Sequence, residues 1–306
     1  MLFDFETRSA DPFGNDSGAS GWTRPAILDR RMPDWSVVVP FFNERVLLPL
    51  TLESLAAQRV RARFILVDNG STDGSAGVAT AACRRLGLDF VVVTEARPGK
   101  VAALTAGLRL VRTIYVATCD ADTWYPADYL ANAGRVLAEG HVVVGAYFVT
   151  QGASADAHEK AGRRIVKTAA LLRGQCHTGG AGQAFRTDVL RRAGGFDAAR
   201  WSYVLEDHEI VHQVLKHGTM GYATDLWCVP SVRDRDRPSI RWTLAERLLY
   251  AALAPVAGDW FFYRFLGRRL DGRRLSSQSI RERRFHGPER AGPERTVGAA
   301  AYSVCG

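Results

Sequence analysis

Short runs of apolar, β-branched residues alternate in the first half of the chain with longer segments whose apolar positions recur at helical spacing. This alternation occurs about five times between residues 35 and 146, and it predicts a mainly parallel sheet with helices on both faces. In such an α/β fold, ligands bind beyond the carboxyl ends of the strands. The predicted strands are 35–40, 64–68, 90–93, 113–118, 141–146 and 183–186, and the predicted helices are 44–57, 74–86, 100–111 and 127–139.

The two ends of the chain differ from this regular stretch. Residues 1–34 are rich in Gly, Asp, Ser and Pro without an apolar period, so we predict a loose N-terminal arm. Residues 35–235 predict a single globular domain, and residues 236–306 predict a helical, aromatic and Arg-rich extension. Pro255 and Gly258 should divide the apolar part of that extension into two helices.

The net charge of +8 is concentrated near the C-terminus. Residues 267–295 contain nine Arg and four acidic residues, which favours an anionic partner such as a phospholipid surface, with a solvated basic tail as the alternative. The aromatic segment 260–274 is typical of an interfacial membrane anchor, whereas 244–253 is better explained by packing on the sheet. Because the basic tail lacks a known nucleic-acid-binding motif, we expect no nucleic acid partner.

Five scattered cysteines without a C-x-x-C pair indicate reduced thiols. Charged residues interrupt the N-terminus before an apolar stretch forms, and no window reaches ~18 uninterrupted apolar residues. We therefore expect a cytoplasmic protein, with peripheral attachment to the cytoplasmic face of a membrane as an option.

The segment Asp120-Ala121-Asp122 follows an apolar run that ends a predicted strand. Two carboxylates at this spacing can point at one ligand if the strand has begun to turn, and their oxygens suit Mg²⁺ or Mn²⁺. Such a triplet is weak alone, because solvated loop acids produce it by chance.

Seven motifs occur in a specific order, and together they resemble the family 2 inverting glycosyltransferases, whose fold is the Rossmann-like GT-A fold. The resemblance covers about residues 36–221, and it implies a nucleotide-sugar half at about 35–125 and an acceptor half at about 126–235. The motifs are VVVPFFNE at 37–44, LVDNGSTDG at 66–74, RPGK at 97–100, DAD at 120–122, GGAGQAFR at 179–186, GGFD at 194–197 and LED at 205–207.

The resemblance implies a role for each matching position. Asp207, beside Glu206, would be the general base that takes the proton from a hydroxyl acceptor. Asp122 would ligate the divalent cation, while Asp120 would face the metal or the ribose. The implied acceptor loop is Gly180, Ala181, Gly182 and Gln183. The residues implied to bind the donor, with a UDP-sugar favoured, are Pro40, Phe41, Asn43, Glu44, Asp68, Asn69, Arg97, Lys100, Asp120, Ala121, Asp122 and Arg241.

One departure from the family pattern concerns processivity. Polymerising members carry Q-x-x-R-W, and here the corresponding stretch 238–242 keeps Arg241 and Trp242 but has no Gln. We therefore expect one sugar per acceptor, which is a hydroxyl compound with a lipid or lipid-linked glycan as one option. Two alternatives remain: a polyprenyl-phosphate glycosyltransferase, and a catalytically silent protein that binds sugar nucleotides or membranes.

The pentapeptide 208–212 matches the zinc-protease motif H-E-x-x-H. It overlaps the family's ED motif and lies in an α/β pattern unlike that of zinc proteases. We therefore interpret His208, Glu209 and His212 as residues in the first turns of a helix that opens at Glu206.

Overall fold

A computed structural model describes residues 34–231 and 242–281. The strands are β1 (Trp35–Phe41), β2 (Ala62–Asp68), β3 (Asp89–Thr94), β4 (Tyr115–Thr118), β5 (Thr123–Trp124), β6 (Val143–Gly145), β7 (Tyr147–Phe148), β8 (Gln183–Arg186), β9 (Met220–Gly221) and β10 (Trp227–Pro230). The α-helices are α1 (Leu48–Ala56), α2 (Ser75–Arg85), α3 (Lys100–Leu110), α4 (Tyr129–Ala138), α5 (Ala155–Leu171), α6 (Thr187–Arg192), α7 (Glu206–Leu215), α8 (Leu244–Asp259), α9 (Gly267–Gly272) and α10 (Ser277–Arg281), with a π-helix (Trp260–Leu266) between α8 and α9.

Seven strands form the main sheet in the order β3-β2-β1-β4-β8-β6-β9. The pairs β1–β2, β2–β3, β1–β4 and β6–β9 are parallel, while β8 runs antiparallel to both of its neighbours. The prediction of a mainly parallel sheet is confirmed. A smaller sheet has the strand order β5-β10-β7, and its strand β5 directly follows the acidic triplet in the chain.

Strand β1 lies at the centre of the core, and all seven of its residues are buried. Its side chains alternate between the two faces of the sheet. Val37 and Val39 pack in one cluster with residues of α1, α2 and α4, and Val38 packs in a second cluster with residues of α3, α6 and α7. A strand that is covered on both faces must be apolar throughout, which explains its continuous hydrophobic run.

Two helices differ from the sequence prediction. Helix α1 begins at Leu48 rather than residue 44, because Pro49 occupies its first turn and Asn43 adopts a left-handed backbone conformation with φ of 54°. Helix α5 was not predicted at all. Only Gly162 is buried in it, so the helix lacks the continuous apolar stripe from which helices are recognised in a sequence.

The C-terminal helices pack on the α/β core around an aromatic cluster. A kink at Ala257 follows Pro255 in α8, in agreement with the predicted break. Phe261 and Phe262 are fully buried beside Trp201, so these aromatic side chains pack within the protein and do not face outward as a membrane anchor would require. Within the two described ranges, no helix is both long and apolar enough to cross a bilayer.

Candidate functional site

A cavity of about 280 Å³ opens beyond the carboxyl ends of β1, β2 and β4. This is the edge of the sheet at which open α/β folds bind ligands. Its lining residues are Pro40, Phe41, Phe42, Glu44, Asn69, Gly99, Lys100, Ala103, Asp120, Ala121, Asp122, Tyr203, Val204, Glu206, Ser277 and Ile280.

Asn69 lines this cavity and also fixes the loop beside it. Its side-chain amide donates to the carbonyl oxygens of Glu95 (2.9 Å) and Arg97 (2.7 Å), and its oxygen accepts from the backbone N–H of Gly99 (2.8 Å). The buried amide therefore replaces the backbone partners that this irregular loop lacks. Asn69 holds the start of α3, and with it Lys100, against the cavity.

Three residues implied to bind the donor lie outside the cavity lining. Asn43 accepts from the backbone N–H of Thr72 (2.8 Å), and Asp68 accepts from that of Ser71 (2.9 Å). Arg97 forms two side-chain hydrogen bonds to Glu95, which hold the pKa of that carboxyl at about 2. In the ligand-free chain these three residues organise the loops around the cavity, and Arg241 lies outside the described residues.

The acidic triplet is held by hydrogen bonds that link it to three other parts of the chain. The backbone N–H of Asp120 donates to the Tyr125 hydroxyl (2.9 Å), which donates in turn to the carbonyl oxygen of Ala181 (2.6 Å). Thr51 donates to the carbonyl oxygen of Ala121 (3.0 Å). The buried Asp122 carboxylate accepts from Ser231 (3.3 Å). The triplet is thus tied to α1, to the strand β10 region and to the implied acceptor loop.

Lys100 joins two acidic groups from distant parts of the chain. Its ammonium nitrogen lies 2.6 Å from a carboxylate oxygen of Asp120 and 3.2 Å from one of Glu206. Burial lowers the pKa of Lys100, but the two carboxylates outweigh burial and raise it, so the lysine stays charged. For Glu206, burial together with the neighbouring Asp207 outweighs Lys100 and raises the pKa.

Asp207 is the second member of the acidic pair, at the start of α7. Burial raises its pKa, but the charge and hydrogen bonds of His208, together with Lys100, lower it overall. The ring nitrogen Nδ1 of His208 lies 2.9 Å from the Asp207 carboxylate, and the ring packs on Trp242 and Tyr250. This surrounding keeps Asp207 ionised at neutral pH, as a general base must be.

The implied acceptor loop contacts Asp207 directly. A methyl group added at Gly180 would lie 2.9 Å from Cβ of Asp207, so only glycine fits at this approach. The Gln183 side chain donates to the carbonyl oxygen of Asp207 (3.2 Å). A methyl group added at Gly182 would lie 2.9 Å from Cβ of Ala146, so this glycine is also closely packed. The structure therefore places the cavity, the acidic pair and the loop side by side.

The oxygen ligands that the acidic triplet offers are enough for a hard cation only in part. Asp120 and Asp122 supply carboxylate oxygens to the cavity, which suits Mg²⁺ or Mn²⁺. Across 34–231 and 242–281, however, no group of three or more His, Cys, Asp or Glu side chains surrounds one point. A cation held here would need further oxygen ligands, such as those of a diphosphate. His208 and His212 bond separately to Asp207 and Asp259, in agreement with our interpretation of the H-E-x-x-H match as helix residues.

Phe42 and Gly99 line the cavity within predicted motifs and Ala103 within a predicted helix, although none of them was named as a site residue. Four further lining residues lie outside every predicted motif: Tyr203, Val204, Ser277 and Ile280. Tyr203 forms a bridge to Ser276, which brings α10 over the cavity, and Ser277 lies against Gly99. None of these residues belongs to a motif, and they meet the cavity only because the C-terminal helices fold back onto the core. No pattern in the sequence identifies such a wall.

Comparison with known proteins agrees with this architecture, since the fold is that of the GT-A glycosyltransferases. The chain belongs to glycosyl transferase family 2, whose family model matches residues 36–193. It is 32% identical over 193 residues to the uncharacterized glycosyltransferase YaiP of Escherichia coli (strain K12), covering 59% of this chain and 47% of that protein. The family expected from the seven motifs is confirmed.

A second relative carries a more specific name. The chain is 37% identical over 115 residues to the undecaprenyl-phosphate 4-deoxy-4-formamido-L-arabinose transferase of Serratia proteamaculans (strain 568). The match covers 36% of this chain and 35% of that protein. The chain thus spans less than half of the length of both curated relatives.

Two solved structures share the fold. The mannosyltransferase PcManGT from Pyrobaculum calidifontis, in complex with GDP-Man and Mn²⁺, is 26% identical with a TM-score of 0.57, and the match covers 72% of this chain and 63% of that one. Staphylococcus aureus TarS 1-349 in complex with UDP-GlcNAc is 18% identical with a TM-score of 0.52, over 78% and 73% of the two chains. At this identity, TarS shows the likeness of the fold alone.

Proposed function

We propose that this glycosyltransferase moves one sugar, with inversion, from a nucleoside-diphosphate sugar to an acceptor held at the 180–183 loop. The proposal rests mainly on one observation: Lys100 bonds both to Asp120, which lines the cavity, and to Glu206 of the acidic pair. PcManGT, which shares the fold, is described with GDP-Man and Mn²⁺ bound. We take Asp122 and Asp120 as the residues that would hold a divalent cation, which neutralises the departing diphosphate when bound.

In this mechanism, each residue of the site has one task. The Asp207 carboxylate takes the proton of an acceptor hydroxyl while that oxygen attacks the anomeric carbon and the bond to the diphosphate breaks. His208 holds the carboxylate in position through the 2.9 Å hydrogen bond. Lys100 keeps a positive charge beside the cavity where the negative charge of the leaving group develops. Gly180 allows the acceptor loop to approach Asp207 closely.

Two acceptor classes fit, and each has an observation in its favour. The position of an ionised Asp207 against the acceptor loop favours a hydroxyl, because a hydroxyl must lose its proton. The name of the Serratia relative favours a polyprenyl phosphate, whose oxygen is already charged and needs no base. Replacing Asp207 by Asn separates them. We expect hydroxyl transfer to fall by about 10²–10⁴-fold, whereas transfer to a polyprenyl phosphate should stay within severalfold of wild type.

The donor is tested by thermal unfolding in the presence of UDP-, GDP- and dTDP-sugars, with and without Mn²⁺. A ligand at 100 times its dissociation constant stabilises the folded state by about 2.7 kcal/mol, equivalent to roughly 5–10 °C for a domain of this size. Asp122→Asn should remove the Mn²⁺-dependent part of the shift, and Asp156→Asn, at an exposed acid on α5, should not. If no nucleotide sugar raises the melting temperature in either condition, the proposal fails.

A further inference from the structure

Helix α8 exposes an apolar stripe along one side. Leu244, Leu248 and Val256 are 73%, 63% and 83% exposed, and Trp260, which follows the helix, is 50% exposed. Ala252 fills the gap in this series, and it is exposed as well. Residues four apart are neighbours on a helix, so these positions form a continuous surface that winds slowly around α8, with the kink at Ala257 before Trp260. We call this surface the α8 face.

The opposite side of α8 packs on the catalytic core. The Tyr250 hydroxyl accepts from the backbone N–H of Cys176 (2.9 Å), and its ring lies 5.6 Å from that of His208. Gly258 lies against His212 on α7, and a methyl group there would meet the imidazole at 2.2 Å. The helix is therefore anchored by its inner side, and the α8 face takes no part in the core.

The end of α5 extends the apolar surface. Leu171 and Leu172 are 83% and 40% exposed. The segment that follows them is attached to α8, because Gln175 donates to the carbonyl oxygen of Ala251 (2.7 Å) and Gly174 lies near Pro255. Two elements that are distant in sequence, and that are joined through residues 174–175, thus both expose large apolar side chains, which is unusual for a surface without a partner.

The charges near this surface are mainly positive. Residues 160–173 contain five exposed basic residues. Lys160 and Arg163 pair with Asp156 and Glu159 one turn earlier, and Arg164, Lys167 and Arg173 complete the set. Arg247 on α8 is exposed too. The exposed acid of α8, Asp259, is paired with Lys216 (2.6 Å) and with His212. Apolar side chains beside basic ones match a bilayer that contains anionic phospholipids, since the acyl boundary takes the former and the phosphates attract the latter.

We propose that the α8 face, together with the end of α5, docks this enzyme onto an anionic phospholipid membrane. This proposal extends the proposed function and rests on it, because membrane docking would serve the proposed sugar transfer. A helix is about 10 Å across with its side chains. Because the inner side of α8 contacts His208, which bonds to Asp207, docking would hold the candidate base about one helix diameter from the lipid head groups.

The test is co-sedimentation of the full chain with vesicles of phosphatidylcholine, with or without phosphatidylglycerol, at low salt and without nucleotide sugar. We expect binding that requires phosphatidylglycerol. The double variant Leu248→Glu with Val256→Glu should weaken binding by about tenfold or more, because burial of each apolar side chain is lost. Val46→Glu places a negative charge on an exposed residue just before α1, which packs on the other face of the sheet from α7. This variant should bind as wild type does.

A second pair of substitutions tests the charges. Arg164→Gln with Lys167→Gln should reduce binding to anionic vesicles, by about fivefold per charge removed. All variants are checked for an unchanged melting temperature, since the substituted side chains are exposed. The proposal is overturned if wild type does not sediment with anionic vesicles, or if the Leu248/Val256 variant sediments equally well.

Light scattering separates lipid docking from self-association. If the chain forms a dimer that the Leu248/Val256 variant abolishes, and neither protein binds vesicles, the α8 face is a dimer interface and the membrane proposal is wrong. Because vesicle binding is measured without donor, its failure leaves the thermal-shift test of the glycosyltransferase site unaffected. Conversely, absence of a nucleotide-sugar shift leaves the vesicle result intact.

Discussion

Replacing Lys100 by methionine removes the cation that joins Asp120 and Glu206 while keeping most of the side-chain volume. Loss of one partner from a buried ion pair costs about 3–5 kcal/mol, because the remaining charge is left desolvated. The Lys100 and Asp120 side chains are 34% and 30% exposed, whereas Glu206 is only 15% exposed. Solvent screening therefore reduces the expected loss to about 2 kcal/mol, or about 4–8 °C in melting temperature.

The pH dependence of this loss follows from the pKa of Glu206. Lys100 opposes the burial that raises this pKa, so in Lys100→Met the pKa rises further above its usual range. A group with a raised carboxyl pKa destabilises the fold where it is ionised, and protonation relieves the cost. The stability difference between wild type and variant should therefore be largest near pH 8 and should shrink as the pH falls towards 5.

Thermal and urea unfolding of four proteins measure the effect: wild type, Lys100→Met, Glu206→Gln and the double variant. Neutralising Glu206 should restore part of the stability lost in Lys100→Met, which gives a positive coupling energy. Lys160→Met is the matched control, because its ion pair with Asp156 is about 70% exposed on both sides and should contribute less than about 1 kcal/mol. Equal stability of Lys100→Met and wild type at pH 8, or strict additivity in the cycle, would refute the reasoning.

Further predictions concern the acceptor loop and the first turn of α8. Gly180→Ala brings a methyl group to 2.9 Å from Cβ of Asp207, and it should lower turnover about tenfold without changing the donor-induced thermal shift. The control Gly77→Ala, where an added methyl group meets no atom within 4 Å, should leave turnover unchanged. Equal turnover in both variants would contradict the placement of the loop. Glu246 is fully buried and bonded to Arg269 at 2.9 Å, so Glu246→Gln should cost about 2 kcal/mol in urea unfolding at pH 7. Burial raises the pKa of Glu246, but its hydrogen bonds and arginine partners lower it overall, so this contribution should disappear as the pH falls through that lowered pKa, and a loss that is the same at acid pH would argue against it.

The first half of the fold was predictable because its signals are local. Strand β1 and the strand before Asp120 are apolar runs ended by polar residues, and each requires only neighbouring residues to be recognised. The error at the start of α1 has the same origin. An apolar period extends back to Val46, but Pro49 and the left-handed Asn43 delay the first turn until Leu48.

The candidate site was predictable only as a set of motifs. The chain order of these motifs indicated the family, but their roles depend on which of them meet. Lys100 contacts Glu206 although 105 residues lie between them in the chain. Asn69 was predicted to bind the donor, and in the structure it also holds the 95–99 loop through three hydrogen bonds. The roles of these residues in catalysis remain predictions that the experiments above test.

By itself, the sequence determined the alternation of strands and helices, the position of the acidic triplet at a strand end and the family of the protein. Periodicity and turn chemistry act between residues close in the chain, so they can be read without a structure. Only the tertiary structure decided that Phe261 is buried while Leu248 is exposed, although both lie in the same aromatic and aliphatic stretch. Which side of a helix faces the protein depends on the elements that pack against it, and residues far away in the sequence supply those elements.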